Sequence, residues 1–336
     1  MIIERYIAGV DIGGTRLRVA LSPITIKEER IKRIIVPTPK ESKFSISLTV
    51  CNQIRKLMKE YQIEDKNLVG IGIASAGPLD IETGRIFNNA NLGFREIPLK
   101  DPISKEFPDI PIHLINDCSS AVLGVHYFEA SDKEKNNLVY ITMSTGIGGG
   151  VICNGHLLFG KEGNAAEIGH GILNPNAEVR CNCGAKGCWE AYSSGIGIKK
   201  NALKFIREGH YNAEILLEII HNNIENITAK EVFKAARKGD ALSQAVLEQS
   251  LYYSKVGIGI VNNYYDCNTI LFGGAIMNDK EQIIPILKEQ FEKDPIQYTI
   301  NHPPKFKVTK YIDEIGLFGA LVLIKYRLEG NPILSS

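Results

Sequence analysis

Two glycine-rich turns, each placed between two apolar segments, constrain the fold of this chain more than any other feature. The first turn, DIGGTR, separates the apolar residues 7–10 from residues 17–21; the second, STGIGGG, follows residues 138–143 and leads into Cys153. We predict a strand on each side of both turns, and therefore two β-hairpins. Backbone N–H groups in such turns bind phosphate oxygens. Two turns that face one another hold a polyphosphate between them, which requires two lobes and a cleft.

The residues of the first turn alone leave its role open. The turn is not a P-loop, because no Gly-Lys-Ser/Thr follows it. It is not a dinucleotide-binding fingerprint, because it leads into a strand and not into a helix. Gly13 and Gly14 between two strands are also typical of an ordinary hairpin turn without a ligand. The second turn near the middle of the chain favours the phosphate interpretation.

Strands alternate with helices along the rest of the chain, which predicts an α/β fold. Helical periodicity covers residues 42–61, residues 193–254 with a break at Gly239, residues from 280 onward, and residues 314–326. Further short apolar segments predict strands at residues 31–36, 69–73, 111–115, 269–272 and 306–309.

Asn116 and Asp117 lie where the predicted strand 111–115 meets a predicted helix. An Asp at such a junction is commonly the N-cap of the helix. A carboxylate at the carboxyl end of a strand in an open α/β sheet is also placed where ligands bind. The local sequence leaves both roles open. The same holds for Asn91 in the polar segment NNANLGF, which either faces a ligand or is an ordinary loop residue.

A cysteine cluster, CNCGAKGC, predicts a zinc site. Tetrahedral zinc takes three thiolates and one imidazole, and His170 is the nearest candidate for the fourth ligand. The alternative is a set of disulfides or unrelated thiols. Cys181 and Cys183 are too close to bridge one another comfortably, and Glu4 and Arg5 interrupt the apolar core that a secretory signal needs.

Composition excludes several classes of function. The formal net charge of +1 gives no basic surface for nucleic acid. The most apolar stretch, VGIGIVNNYYDCNTILFGGAI, is interrupted by Asn262, Asn263 and Asp266, so we expect no membrane span. We therefore expect a soluble cytoplasmic protein without a nucleic-acid partner.

These motifs, in this order, resemble those of the ROK family of sugar kinases and repressors. The resemblance runs from Gly9 to about Gly319 and includes DIGGT, Asn116-Asp117, STGIGGG, EIGH, CNCGAKGCWE and LFGGAI. It implies an actin-like (ribonuclease H-like) ATPase fold with two lobes around a cleft. The small lobe is expected at residues 1–117, with the C-terminal helix at about 312–328 packing back onto it, and the large lobe with the zinc segment at residues 118–311.

The resemblance also implies the site residues. Asp117 looks like the catalytic base. The residues that look like sugar ligands or their neighbours are Gly77, Asn91, Asn116, Asp117, Glu167, His170 and Glu190. Those that look like ATP contacts are Gly13, Gly14, Thr15, Thr145, Gly146, Gly273 and Gly274, with Asp11 holding magnesium through water. The residues that match the family's structural zinc ligands are His170, Cys181, Cys183 and Cys188.

Three positions depart from the family pattern. Ala166 replaces the glycine that commonly precedes the Glu of EIGH, Val125 stands where an acidic residue is common, and Ser144 replaces a glycine of the second turn. None of these changes removes a functional group, so they bear on fine specificity and not on the reaction.

The reaction that the resemblance implies is phosphorylation of a neutral hexose at its 6-hydroxyl, with ATP, Mg²⁺ and a structural Zn²⁺. Glucose is the expected acceptor, because the AGPLD loop after Ser75 looks more like the glucokinase members. An N-acetylmannosamine or N-acetylglucosamine kinase is the alternative. Two other functions are a repressor that binds sugar and DNA, and a non-catalytic sugar sensor. A repressor of this family carries a helix-turn-helix domain before the first turn, whereas only ten residues precede Asp11 here. We expect a homo-oligomer, either a dimer or a tetramer.

Overall fold

The computed structural model describes residues 4–89, 92–293 and 303–335. The chain divides into two compact units. Unit 1 consists of Met1–Tyr140, Gly150–Ala166 and Glu314–Ser336, and unit 2 consists of Ile141–Gly149 and Glu167–Asp313. These boundaries differ from the lobe boundary expected after Asp117, and that boundary stays a prediction.

The described chain alternates strands and helices, as expected for an α/β fold. The strands are β1 (Tyr6–Ile12), β2 (Arg16–Pro23), β3 (Lys32–Pro37), β4 (Leu68–Ser75), β5 (Leu79–Asp80), β6 (Arg85–Phe87), β7 (Glu96–Pro98), β8 (Ile112–Asn116), β9 (Leu138–Met143), β10 (Ile147–Cys153), β11 (His156–Leu157), β12 (Thr269–Gly273) and β13 (Lys305–Val308). The α-helices are α1 (Ser45–Glu60), α2 (Lys100–Glu106), α3 (Asp117–Phe128), α4 (Glu190–Ser193), α5 (Gly195–Glu208), α6 (Glu214–Ile219), α7 (Ala229–Arg237), α8 (Ala241–Tyr265), α9 (Lys280–Lys293) and α10 (Ile315–Glu329). Short 3-10 helices lie at Glu28–Arg30, Asp65–Asn67, Ile168–His170, Ile224–Asn226, Ala275–Asp279 and Pro332–Leu334.

Unit 1 contains a five-stranded sheet with the order β3-β2-β1-β4-β8. β1 pairs antiparallel with β2 and parallel with β4, and β4 pairs parallel with β8. The carboxyl ends of β1, β4 and β8 therefore lie at one edge of the sheet, which is where open α/β sheets bind ligands. Asp11, Ser75 and Asn116 all lie at that edge.

Two helices cover much of this sheet with apolar side chains. In α1, Ile46, Val50, Ile54 and Leu57 are buried at helical spacing, as in an amphipathic helix. α10 is buried along most of its length and packs against β1, β4 and α3. Within unit 1, α10 thus packs against strands from the N-terminal part of the chain, and its assignment to a small lobe stays a prediction.

The second five-stranded sheet has the order β11-β10-β9-β12-β13. Within unit 2, β12 pairs parallel with β13, and α5, α7 and α8 pack against one another. The predicted helical region 193–254 consists of separate helices, and the break foreseen at Gly239 is present, with a φ of 91°. No helix in the described ranges is both long and apolar enough to cross a bilayer.

The sequence missed the small three-stranded sheet β5-β6-β7 and the helix α2. Strands of two or three residues are too short to show the alternation of buried and exposed side chains by which a strand is recognised.

Candidate active site

The first glycine turn joins β1 to β2 as the predicted hairpin, and Thr38 stabilises the turn through hydrogen bonds to its backbone. The Gly13 N–H donates to the Arg16 carbonyl oxygen at 3.0 Å, and Thr38 Oγ1 donates to the Gly13 carbonyl oxygen at 2.6 Å. The Thr38 N–H also donates to the Thr15 carbonyl oxygen at 3.0 Å. The turn therefore has a fixed backbone, while the Thr15 side chain is exposed. Its phosphate contacts stay a prediction.

Asp11 lies directly opposite Arg18 in the β1–β2 ladder. Arg18 Nη1 donates to Asp11 Oδ2 at 3.0 Å. The pKa of Asp11 is raised to about 6, and burial is the largest cause; within this net shift the Arg18 charge lowers the pKa and the Asp117 charge raises it. Within the described part of the chain, Arg18 Nε has no hydrogen-bond partner. Asp11, Arg18 and Asp117 thus form one electrostatically coupled group in unit 1, and no motif in the sequence had indicated Arg18.

Asn116, and not Asp117, caps helix α3. The Asn116 side-chain oxygen accepts from the Cys118 N–H at 2.8 Å and from the Ser119 N–H at 3.3 Å. Asp117 is the first helical residue and is half-buried, and its Oδ1 accepts from the Cys118 N–H at 2.9 Å. The positive end of the helix stabilises a carboxylate at this position. The capping role considered for Asp117 is therefore filled by its neighbour.

Two asparagines that the sequence analysis did not select organise the loop after β4. Asn89 Nδ2 donates to the carbonyl oxygens of Ala76 and Gly77, both at 3.0 Å. The Asn164 amide pairs with the Leu79 backbone in both directions at 2.8 Å. A Cβ on Gly77 would lie 2.9 Å from Asn164 Oδ1. Only the polarity of NNANLGF signalled Asn89, and nothing in the sequence signalled Asn164, which acts across 85 residues.

Asn91, the other predicted residue of this loop, lies outside the described residues. Ala166, one of the departures from the family pattern, has a φ of 62°. Glycine adopts this left-handed region without strain, whereas a Cβ makes it unfavourable. The glycine that relatives commonly carry here thus has a conformational reason.

In unit 2, the carboxylate of Glu190 lies against the second glycine turn. Its Oε2 accepts from the Ile147 N–H at 2.9 Å, and a Cβ on Gly146 would lie 2.5 Å from the same oxygen. The Ser144 N–H closes the turn by donating to the Gly146 carbonyl oxygen at 2.9 Å. Thr145 at the tip is exposed. We predicted Glu190 as a sugar ligand and this turn as a phosphate contact. The contact between Glu190 and the turn was not predicted.

His170 connects a carboxylate with the cysteine cluster. Its Nδ1 lies 3.7 Å from Cys181 Sγ, and its Nε2 lies 3.9 Å from Glu167 Oε2. Burial raises the pKa of the Glu167 carboxyl; His170 lowers this pKa and the Glu190 charge raises it. One ring nitrogen thus lies towards the cysteine cluster and the other towards the Glu167 carboxylate.

The four predicted zinc ligands come together. The ligand atoms of His170, Cys181, Cys183 and Cys188 all lie within 4.8 Å of one another. Cys183 Sγ and Cys188 Sγ are 3.8 Å apart, and ligands on a tetrahedral ion with bonds of about 2.3 Å are separated by about 3.8 Å. Three thiols and an imidazole are also the donor set that structural zinc prefers. These residues fit Zn²⁺, and four protein ligands leave no open position on it.

The loop that carries the cysteines depends on glycine at one contact. Gly187 has a φ of 74°, and a Cβ there would lie 1.8 Å from the Asn174 carbonyl oxygen. The Cys181 N–H donates to the Ala185 carbonyl oxygen at 2.9 Å, which closes the loop around the cluster. The local sequence thus holds the thiols in place through its backbone.

The third glycine turn follows β12. Gly273 ends the strand. Gly274 has a φ of 86°, and a Cβ added at Gly274 would lie 2.4 Å from the Met143 carbonyl oxygen. Glycine is therefore required by both conformation and space. The expected contact of this turn with adenosine stays a prediction.

Comparisons with known proteins identify the family of this chain. The ROK family model matches residues 7–327. A glucokinase from Halalkalibacterium halodurans is 31% identical over 323 residues, which span 96% of this chain and 96% of the relative. The structure of a ROK family glucokinase from Streptomyces griseus, in complex with glucose and AMPPNP, has a TM-score of 0.77 at 26% identity and covers 95% of this chain and 98% of that one. The ROK hexokinase from Thermus thermophilus has a TM-score of 0.78 at 24% identity, with 97% and 99% covered.

The two structural likenesses confirm the actin-like ATPase fold that the motifs implied. The family match reaches from β1 to α10 and therefore includes both glycine hairpins, the Asn116-Asp117 junction and the cysteine cluster. A coincidental likeness of one motif does not extend over such a length. The chain belongs to the ROK family.

Proposed function

We propose that the chain is an ATP-dependent sugar kinase that transfers the γ-phosphoryl group to the 6-hydroxyl of glucose. The observation that carries this proposal is the position of Asp117. Because Asn116 caps α3, the Asp117 carboxylate stands at the carboxyl end of β8, in electrostatic contact with Asp11 at the end of β1. Phosphoryl transfer to an alcohol needs a group that accepts the hydroxyl proton, and the Asp117 carboxylate can accept it at this edge of the sheet.

Asp117 acts as the general base. It accepts the proton of the sugar's primary hydroxyl as the hydroxyl oxygen attacks the γ-phosphorus and the β–γ bridging bond breaks. The Cys118 N–H, 2.9 Å from Asp117 Oδ1, holds the carboxylate in one orientation. The N-terminus of α3 favours its ionised form.

The glycine hairpins and Asp11 serve the nucleotide. Gly13, Gly14 and Thr15 of the first turn and Thr145 and Gly146 of the second are the proposed phosphate contacts, with Gly273 and Gly274 against the adenosine. Asp11 supplies the carboxylate oxygen that a hydrated Mg²⁺ prefers, and with a pKa of about 6 it is mostly ionised at neutral pH. Bound Mg²⁺ neutralises the charge that develops on the phosphates.

The zinc cluster has a structural role in this proposal. Zn²⁺ on His170, Cys181, Cys183 and Cys188 would fix the imidazole through Nδ1 and leave Nε2 for a sugar oxygen. Glu190 extends this support, because the carboxylate proposed to bind the sugar also fixes the second turn through the Ile147 N–H.

The sugar is proposed to be neutral. The carboxylates of Glu167 and Glu190 can accept hydrogen bonds from the hydroxyl groups of a sugar. They repel an anionic sugar phosphate or sugar acid. The residues proposed to contact the sugar or to flank it are Gly77, Asn91, Asn116, Asp117, Glu167, His170 and Glu190. A cytoplasmic homo-oligomer that does not bind nucleic acid stays a prediction of the sequence.

A substrate panel tests the choice of sugar. We expect ADP release with glucose at the highest kcat/KM among glucose, mannose, fructose, glucosamine, N-acetylmannosamine and N-acetylglucosamine, each assayed with ATP and Mg²⁺. The loop after Ser75 is the basis for this order. A kcat/KM for either N-acetylhexosamine tenfold above that for glucose, about 1.4 kcal/mol of transition-state preference, would replace glucose by that sugar.

The Asp11–Arg18 pair predicts a pH dependence. Ionised Asp11 is the form that holds hydrated Mg²⁺, so kcat/KM for MgATP should fall as the pH decreases through about 6. Arg18→Met removes the cation that lowers the pKa of Asp11. We expect the acid limb of the profile to move to higher pH by about 1 unit, the lower end of the range for a lost neighbouring charge.

Arg16→Met is the matched control, because Arg16 lies on the same strand with its side chain exposed. This variant should change the affinity for MgATP at most and leave the inflection of the profile where it is in the wild type. An Arg18→Met profile that superimposes on the wild-type profile would show that Asp11 does not govern the acid limb.

A further inference from the structure

The first turn of α3, which begins with Asp117, is packed backbone to backbone against two other elements of unit 1. A Cβ on Gly150 of β10 would lie 2.1 Å from the Cys118 carbonyl oxygen. A Cβ on Gly319 of α10 would lie 1.6 Å from the Ser120 carbonyl oxygen. Real Cβ atoms do not approach an oxygen this closely, so no larger residue fits at either position unless the turn moves.

Space, and not backbone conformation, explains both glycines. Neither Gly150 nor Gly319 has a positive φ. Gly319 lies within helix α10, where glycine is less favourable than alanine. Ser120 Oγ also donates to the Gly316 carbonyl oxygen at 2.7 Å, which ties the same turn of α3 to α10.

We propose that Gly150 and Gly319 are positioning residues that set the location of the Asp117 carboxylate; this inference rests on the proposed kinase function. Asp117 directly precedes Cys118, whose carbonyl oxygen would have to retreat by about 0.9 Å to reach a tolerable 3.0 Å from a Cβ on Gly150. Proton transfer needs the base within about 2.6–3.2 Å of the hydroxyl oxygen. A misplacement of 1 Å lowers turnover by about 100-fold.

The displacement should affect turnover more than sugar binding. Asn116 belongs to β8 and is held in the sheet opposite Ser75, whereas Asp117 is the first residue of the helix that must move. The proposed sugar ligands Glu167, His170 and Glu190 belong to unit 2, whereas α3 belongs to unit 1.

The test is Gly150→Ala, assayed with glucose and MgATP. We expect kcat to fall by about 30-fold or more, while the KM values for glucose and ATP stay within about threefold of the wild type. A double-mutant cycle with Asp117→Asn separates positioning from general damage. If Gly150 acts through Asp117, adding Gly150→Ala to Asp117→Asn should change kcat by less than about threefold, whereas independent effects would multiply.

Gly70→Ala is the matched control. A Cβ on Gly70 of β4 would lie 2.4 Å from Ile324 Cγ2, so this variant overpacks unit 1 without touching α3. We expect it to lower the melting temperature and to keep kcat within about threefold. If Gly150→Ala does not fold, Gly319→Ala replaces it, because a Cβ on Gly319 of α10 would displace the same first turn of α3. The expected changes in kcat and KM, and the expected result of the cycle with Asp117→Asn, are the same.

The outcomes separate the two proposals. A wild-type protein that releases no ADP with any hexose would refute the kinase function. An active wild type together with a folded Gly150→Ala variant of near-normal kcat would refute the positioning role alone. Multiplicative effects in the cycle would also refute it, because the glycine would then not act through Asp117.

Discussion

Replacing Asp117 by Asn should lower kcat with glucose by at least about 100-fold and leave the KM for glucose within a few-fold of the wild type. The amide keeps the size of the carboxylate, and its oxygen still accepts the hydrogen bond that the Cys118 N–H donates to Oδ1. The change therefore removes the base and preserves the helix start, which Asn116 caps. The KM is expected to hold because the other sugar ligands are untouched.

Steady-state assays with saturating ATP measure this effect, and Asp101→Asn serves as the control. Asp101 also lies in the first turn of a helix, α2, and its side chain is 62% exposed. The control should keep kcat within about twofold, as expected for a surface substitution. Near-normal turnover of Asp117→Asn would leave Asp117 with a purely structural role at the start of α3.

Cys183→Ser should abolish stoichiometric zinc binding and raise the KM for glucose by about tenfold or more. Removing one of four ligands leaves three, and the ion no longer fixes the imidazole of His170. The ring of a metal-bound histidine is oriented by the metal on one nitrogen and by the hydrogen-bond partner of the other nitrogen. Loss of the metal should therefore misplace Nε2 relative to the sugar. The stability of the cysteine loop should fall as well, since metal binding to such clusters contributes to folding.

Elemental analysis of protein purified without added metal gives the zinc content, expected at one ion per chain in the wild type. Cys153→Ser is the matched control, because Cys153 is half-buried on β10 and does not belong to the cluster. A wild type without zinc would contradict the metal site. Zinc loss with an unchanged glucose KM would contradict the shared role of His170.

The sequence predicted regular elements well where the apolar pattern is long or sharply bounded. β9 was predicted at residues 138–143, and α9 was predicted to begin at Lys280, as the structure has them. β1 and β2 extend beyond the predicted apolar segments, because their ladder runs from the Tyr6–Pro23 pair to the Ile12–Leu17 pair and so includes residues outside those segments. Pairing with a neighbouring strand, which the pattern does not report, sets those ends.

Residues brought together by short spacing were also predictable, as the clustering of His170, Cys181, Cys183 and Cys188 shows. Contacts across large separations were not. Glu190 reaches the second turn across 43 residues, and Asn164 reaches Leu79 across 85. The polar character of such residues is visible in the sequence, but their partners depend on how the chain folds back. Arg18 was missed for a related reason, because its importance comes from the burial of Asp11.

The proposed reaction is the transfer of phosphate from ATP to the 6-hydroxyl of glucose. The most direct measurement incubates the protein with ATP, Mg²⁺ and glucose and quantifies ADP together with glucose 6-phosphate, using glucose-6-phosphate dehydrogenase to read the position of the phosphate. The proposed reaction predicts that ADP and glucose 6-phosphate form in a one-to-one ratio, and that both rates fall by at least about 100-fold in Asp117→Asn. ADP formed without glucose 6-phosphate, or no ADP formed at all, would contradict it.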